Sequence, residues 1–104
     1  MSGKRESYYG YYSTVYGTIK DAMTIAETIG KLEKERASTR FTVLVQICTA
    51  YFGRPRVKGS HHIFKMPWLG DPRLNLQKDK SKAKPYQVEQ VINALKKLQR
   101  MDEK

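Results

Sequence analysis

Two segments in the second half of the chain alternate apolar and polar residues with a period of two. They are residues 61–67 and Arg73–Gln77, and this alternation predicts β-strands that bury one face. The apolar side chains of the two segments share the predicted buried face: Phe64, Met66, Leu74 and Leu76. His61 and Lys65 then lie on the opposite face, beside Arg73, Asn75 and Gln77, and we expect that face to stay open.

A third extended run, residues 54–58, precedes these two segments. The pair Gly59-Ser60 is short enough to join it to the next strand as a tight turn, and the turn-rich residues 69–72 come before the last strand. We therefore expect three short antiparallel strands. An antiparallel sheet of this kind is commonly covered on one side only.

Helical periodicity flanks the strands on both sides. Residues 18–34 carry apolar side chains at spacings of three and four, which predicts an amphipathic helix. In a second predicted helix Thr42 is the N-cap, and Gly53 and Pro55 end it. Its predicted buried face consists of Leu44, Ile47, Cys48 and Tyr51. Pro85 suits the first turn of a final helix, whose apolar stripe consists of Val88, Val91, Ile92, Leu95 and Leu98.

These elements predict an α+β fold in which a helix, three antiparallel strands and a helix follow one another, with an extra N-terminal helix. Both helices of the main unit would pack on the same side of the sheet. Three regions follow from the pattern. Residues 1–17 form a tyrosine-rich tail, residues 18–40 an N-terminal helix and linker, and residues 41–100 the main folded domain.

Positive charge is concentrated in one half of the chain. Twenty Lys and Arg residues against ten Asp and Glu give a net charge of +10. Residues 53–104 contain thirteen of the basic and five of the acidic residues, a net of +8. Such a field attracts polyanions, and nucleic acid is the partner it favours. No run of about 18 apolar residues is present and no helix pairs a basic face with a large apolar one, so we expect no membrane partner.

Cysteine content and the N-terminus bear on location. Cys48 is the single cysteine, so one chain cannot form a disulfide framework. Its place on an apolar stripe indicates a packed thiol. The first ten residues are polar and tyrosine-rich, unlike a secretion signal. These features predict a cytoplasmic protein.

The hairpin sequence Lys58-Gly59-Ser60-His61-His62 carries the strongest candidate for chemistry. Histidine titrates near physiological pH and serves as a general acid or base. Gly59 lets the backbone approach a ribose or phosphate, while Lys58 and Lys65 offer charge that offsets a developing phosphorane. Ser60 is read as a turn residue and, with Lys58 and Gly59, as a candidate for RNA contact or transition-state support. His62 is read as a packed, hydrogen-bonded histidine. Contact with phosphate and simple solvation remain open alternatives for the lysine-rich loop that holds Lys78, Lys80, Lys82 and Lys84.

With these motifs in view, the chain resembles the HicA toxins of bacterial toxin–antitoxin systems. The resemblance covers roughly residues 41–98 and rests on Phe52-Gly53, the Gly-Ser-His-His hairpin, residues 64–67 and the sequence Lys84-Pro85-Tyr86. It implies a fold similar to double-stranded RNA-binding domains and a ribosome-independent mRNA interferase neutralised by a HicB-like antitoxin. It also implies that His61, directly after Gly-Ser, is the catalytic residue.

The sequence predicts neither a cofactor nor a metal. His61 and His62 are adjacent and project to opposite faces of a strand, and the acidic residues of the basic half form no carboxylate cluster. The prediction is therefore metal-independent cleavage of RNA, supported by phosphate contacts from Arg73, Lys78, Lys80 and Lys82. Two other classes remain: a non-catalytic RNA-binding module that uses the same face, and a structural adaptor that neither binds nor cuts RNA.

Overall fold

The computed structural model of the protein describes residues 23–70 and 72–102. Its first helix, α1, spans Ile25–Lys34 and is fixed at its start by a capping box. The Glu27 amide donates to Thr24 Oγ1 (3.0 Å), and the Thr24 amide donates to Glu27 Oε1 (2.9 Å). The prediction of one uninterrupted helix from residue 18 is therefore wrong. The backbone of Thr24 is extended, so the helix cannot continue through this residue towards the N-terminus. The predicted tail, 1–17, and residues 18–22 lie outside the described residues.

The second helix, α2, spans Phe41–Phe52. Its N-cap position is Arg40, which makes no side-chain capping bond, so the prediction of Thr42 as the N-cap is wrong. The chain enters this helix from a backbone pairing described below, which takes over part of the role of a cap. Gly53 ends it with a φ of 94°, a left-handed value that favours glycine. The predicted buried face is confirmed, and Phe41 and Ala50 extend it.

Three strands form one antiparallel sheet in the order β1-β2-β3. They are β1 (Arg56–Lys58), β2 (His61–Lys65) and β3 (Arg73–Gln77). The third agrees with its prediction. The first begins two residues later than predicted, and the second ends two residues earlier, before Pro67, which has no amide hydrogen to donate. The tight turn is confirmed: Lys58 pairs with His61, and Gly59 has a φ of 59°.

The last helix, α3, spans Pro85–Asp102, and its predicted apolar stripe is buried throughout. Both α2 and α3 pack against the sheet, and α1 packs against α3. Phe64 and Leu76, both fully buried, lie at the centre of the sheet's covered face. The described residues thus form a compact α+β domain of three helices and a three-stranded antiparallel sheet.

The lysine-rich loop is attached to the chain that enters α2. Arg40 and Lys82 form an antiparallel bridge. Within it the Phe41 amide donates to the Ser81 carbonyl (2.8 Å), and the Ala83 amide donates to the Thr39 carbonyl (2.8 Å). The loop lysines are exposed as predicted, but Ala83 is buried. The loop is therefore exposed in its side chains and fixed in its backbone.

No helix within residues 23–70 and 72–102 is both long enough and apolar enough to cross a bilayer.

Candidate nucleic-acid interface

The side of the sheet that faces away from the helices, called here the open face, consists of the outward side chains of the three strands. Cross-strand pairing arranges them in three rows. Lys58, His61 and Gln77 form the first, Arg56, Ile63 and Asn75 the second, and Lys65 and Arg73 the third. Since directly paired residues project to the same side, the register confirms the outward placement predicted for His61 and Lys65.

His61 lies at the hairpin end of this face and is partly exposed. Its ring is held by a diagonal neighbour on the adjacent strand: His61 Nδ1 lies 3.1 Å from Asn75 Oδ1. Beside it, Gln77 Nε2 donates to Ser60 Oγ at 3.5 Å, which is a long and weak bond. Side-chain amides of β3 therefore contact both the histidine and the turn that precedes it. Sequence analysis placed Asn75 on this face but assigned it no role.

The open face is strongly cationic. Arg56, Lys58, Lys65 and Arg73 are all exposed on it. Its outward strand residues include no acidic and no aromatic side chain. Arg56 was not among the predicted contact residues. It lies two residues before Lys58 in β1, so the two side chains project to the same side of the sheet. Such a surface can hold several phosphates but offers no Phe, Tyr or Trp ring on which a base can stack.

The predicted RNA-contact residues fall into two groups along the face. Lys58, Gly59 and Ser60 surround His61, and the Lys78 amide donates to the Ser60 carbonyl (2.9 Å), which brings the start of the lysine-rich loop to the same corner. Lys65 and Arg73 lie at the other end of β2. Four residues of strand separate the two groups by roughly 13 Å.

The rest of the loop leads to the residues that precede α2. Lys82 lies in the bridge with Arg40, near the start of α2, and Lys84 forms an exposed ion pair with Asp79 (3.2 Å). Lys78, Lys80 and Lys82 are exposed. The backbone of Lys78 therefore meets the turn that precedes His61, while that of Lys82 meets Arg40.

His62 projects towards the core as predicted, and its ring meets the edge of the Phe41 ring at a centroid distance of 5.2 Å. Within the described residues, however, its buried Nδ1 atom has no hydrogen-bond partner. The expectation of a hydrogen-bonded histidine is therefore wrong for this atom. Packing against the edge of the Phe41 ring helps to hold His62 in place.

Two other residues considered from the sequence are structural. Cys48 is fully buried, and desolvation raises the pKa of its thiol far above the usual value, which leaves no thiolate to react. Trp68 packs edge-on against Phe52 (6.2 Å between centroids), and Lys97 Nζ lies 4.8 Å from the centre of its ring. Through these contacts Trp68 anchors the loop that follows β2 to α2 and α3.

The described residues contain no group of three or more His, Cys, Asp or Glu side chains arranged to share a metal ion. The open face combines one histidine, neutral amides and lysine or arginine charges. That set of groups can bind phosphates and exchange a proton with a bound ligand.

Comparison with known proteins found no family model that matches the chain, no similar curated protein and no similar solved structure. The resemblance to HicA toxins therefore rests on the motifs of the sequence. The case for function rests on those motifs together with the arrangement of the open face.

Proposed function

We propose that the protein is a cytoplasmic endoribonuclease toxin that cleaves mRNA by metal-independent transesterification. The observation that carries this proposal is the position of His61, partly exposed and oriented by Asn75 on a sheet face whose charged residues are all cations. The succession of helix, three antiparallel strands and helix is also compatible with a double-stranded-RNA-binding-domain-like fold, as in HicA toxins.

The proposed reaction uses the 2′-hydroxyl of the RNA as nucleophile. His61 takes the proton of that hydroxyl as the O2′–P bond forms, and the P–O5′ bond breaks with protonation of the leaving 5′-oxygen from solvent. Lys58, directly opposite His61 in the register, stabilises the additional negative charge of the phosphorane. The products are a 2′,3′-cyclic phosphate and a 5′-hydroxyl.

Binding of the substrate is assigned to phosphate contacts. Lys65 and Arg73 hold the strand at one end of β2, while Lys58 and Lys78 hold it at the His61 end. Gly59 has no side chain to block the approach of the RNA backbone to the hairpin. Contacts of this kind position an RNA without reading its bases.

Regulation by a HicB-like antitoxin is part of the proposal. An acidic protein that covers the open face would block His61, and the opposite charges would speed association. The test compares RNA cleavage by the protein alone with cleavage after co-expression with a HicB-like protein. Equal cleavage in both preparations would contradict this part of the proposal.

The runner-up, a non-catalytic RNA-binding module, would use the same cations. The absence of outward aromatic residues on the three strands counts against a sequence-reading binder, because such modules stack unpaired bases on rings. The two functions differ in one observable, since only the nuclease breaks the strand.

The mechanism is tested with two matched RNA oligonucleotides that differ in one atom. The first is all-ribo, and the second has a 2′-deoxy nucleotide at the mapped cleavage site. We expect the all-ribo strand to give a cyclic-phosphate end and the deoxy strand to remain intact at that site. Cleavage of the deoxy strand at the same position would refute attack by the 2′-hydroxyl.

A further inference from the structure

The chemistry of the two atoms sets which of them donates in the hydrogen bond between His61 and Asn75. Asn75 Oδ1 is a carbonyl oxygen and can only accept a hydrogen bond, so His61 Nδ1, 3.1 Å away, must carry the hydrogen. In the neutral ring the other nitrogen, Nε2, is then left without a hydrogen. The bond made by one ring nitrogen thus sets the protonation of the other.

We propose that Asn75 is a positioning residue that holds neutral His61 in the Nδ1–H tautomer and so makes Nε2 the proton acceptor of the reaction. This inference rests on the proposed function, and it adds which atom of His61 accepts the proton and which residue selects it. The role corresponds to that of a group that orients a general base without touching the substrate.

The register explains why Asn75, and not the residue opposite His61, has this role. Gln77 pairs directly with His61, but its amide reaches back to Ser60. Asn75 lies two residues earlier on the same strand and the same face, at the diagonal position that longer side chains span. The His61 ring spans this diagonal, and its Nδ1 atom meets the amide oxygen of Asn75.

The position of the pair on the sheet supports the same assignment. β2 is the central strand, bonded on both sides, so the backbones of His61 and Asn75 are tied to one another by the β2–β3 ladder. A hydrogen bond between residues whose backbones are already fixed costs less backbone entropy than one from a flexible loop. The ring is thereby held at a fixed orientation before the substrate binds.

The first measurement is nitrogen NMR of the full chain labelled with ¹⁵N-histidine, in wild type, Asn75→Leu and Gln77→Leu. It reports directly which ring nitrogen carries the hydrogen. We expect a protonated Nδ1 in wild type and in Gln77→Leu, and hydrogen on Nε2 in a substantial share of Asn75→Leu molecules. A wild-type ring protonated on Nε2, or a tautomer unchanged by Asn75→Leu, would overturn the proposal.

The second measurement separates positioning from binding. Asn75→Leu should lower kcat by about tenfold or more, but by no more than the 10² to 10⁴ that general acid–base catalysis contributes as a whole, with little change in KM. Asn75→Asp keeps an acceptor oxygen at the same position and should recover most of kcat. A rise in KM with unchanged kcat for Asn75→Leu would contradict the assignment.

The two measurements test the role of Asn75 separately from the proposed nuclease activity. The tautomer is observed without any RNA, so it is decided even if the wild type does not cut. A wild type that cleaves RNA but shows hydrogen on Nε2 would refute the role of Asn75 and leave the nuclease in place. A wild type with a protonated Nδ1 and no cleavage would refute the nuclease.

Discussion

Replacing Lys58 and Lys65 by glutamine removes one charge from each end of the open face. The effect on RNA binding follows from counterion release, since each phosphate contact on a single strand contributes about −0.7 to the slope of log K against log salt. If both lysines contact phosphates, the slope should become shallower by about 1.4. At about 0.1 M salt this corresponds to an affinity about 25-fold weaker.

The assay is fluorescence anisotropy of a labelled single-stranded RNA across a series of salt concentrations. The matched control is Lys34→Gln with Lys96→Gln, which removes the same net charge from α1 and α3. Both control residues are exposed, and Lys96 forms an ion pair with Glu33 on α1, away from the sheet. Its slope should change by less than about 0.3. Equal changes of slope in the two double variants would refute the open face as the binding surface.

Three further predictions concern the fold that supports this face. Phe64→Ala leaves a cavity at a site that is fully buried in the core and should lower the free energy of unfolding by about 3–5 kcal/mol in urea denaturation. A loss under about 1 kcal/mol would show that this side of the sheet is not the packed one. Thr24→Ala removes the capping-box acceptor for the Glu27 amide and should lower the free energy of unfolding by about 1 kcal/mol. Thr24→Asp keeps an acceptor oxygen and should retain most of that stability, so equal losses in both variants would contradict the capping role. Cys48 should react with a thiol reagent only as fast as the protein opens, because it is buried and its pKa is raised, so rapid labelling of the native protein would place it outside the core.

The sheet was the most predictable part of the fold because alternation reports burial directly. Phe64, Leu74 and Leu76 each followed a period of two, and each is buried. The Gly59-Ser60 turn also fixed the β1–β2 register, since a two-residue connection leaves one way to pair Lys58 with His61. The outward position of His61 followed from these two local signals.

The ends of helices were predicted less well, because they depend on competing caps. Thr24 lies inside an apolar stripe that reads as continuous helix, yet its hydroxyl and Glu27 complete a capping box that begins the helix there. Thr42 has a side chain suited to an N-cap. The preceding residue, Phe41, is already helical, and its amide bonds to Ser81, a residue distant in sequence. A bond between residues so far apart cannot be predicted from the sequence pattern around Thr42.

The details of the site required tertiary information for the same reason. The loop between β2 and β3 is too long to fix their register from sequence, so the diagonal contact of His61 with Asn75 could not be predicted. The lysine-rich loop was predicted as exposed from its charge, but its bridge to Arg40 joins segments about 40 residues apart. Most residues of the open face were predicted from the sequence, Arg56 being the exception, and strand pairing determined which of them meet.

The most direct test of the central claim is a gel assay of labelled RNA with purified wild-type protein and His61→Ala, both in EDTA and both free of any copurified antitoxin. The two proteins should show the same thermal unfolding midpoint within a few degrees, since His61 lies on the open face. We predict that the wild type cuts the RNA and that His61→Ala shifts it on a native gel without cutting. Equal cleavage by both proteins, or bound but intact RNA with both, would contradict His61 as the catalytic residue of a metal-independent ribonuclease.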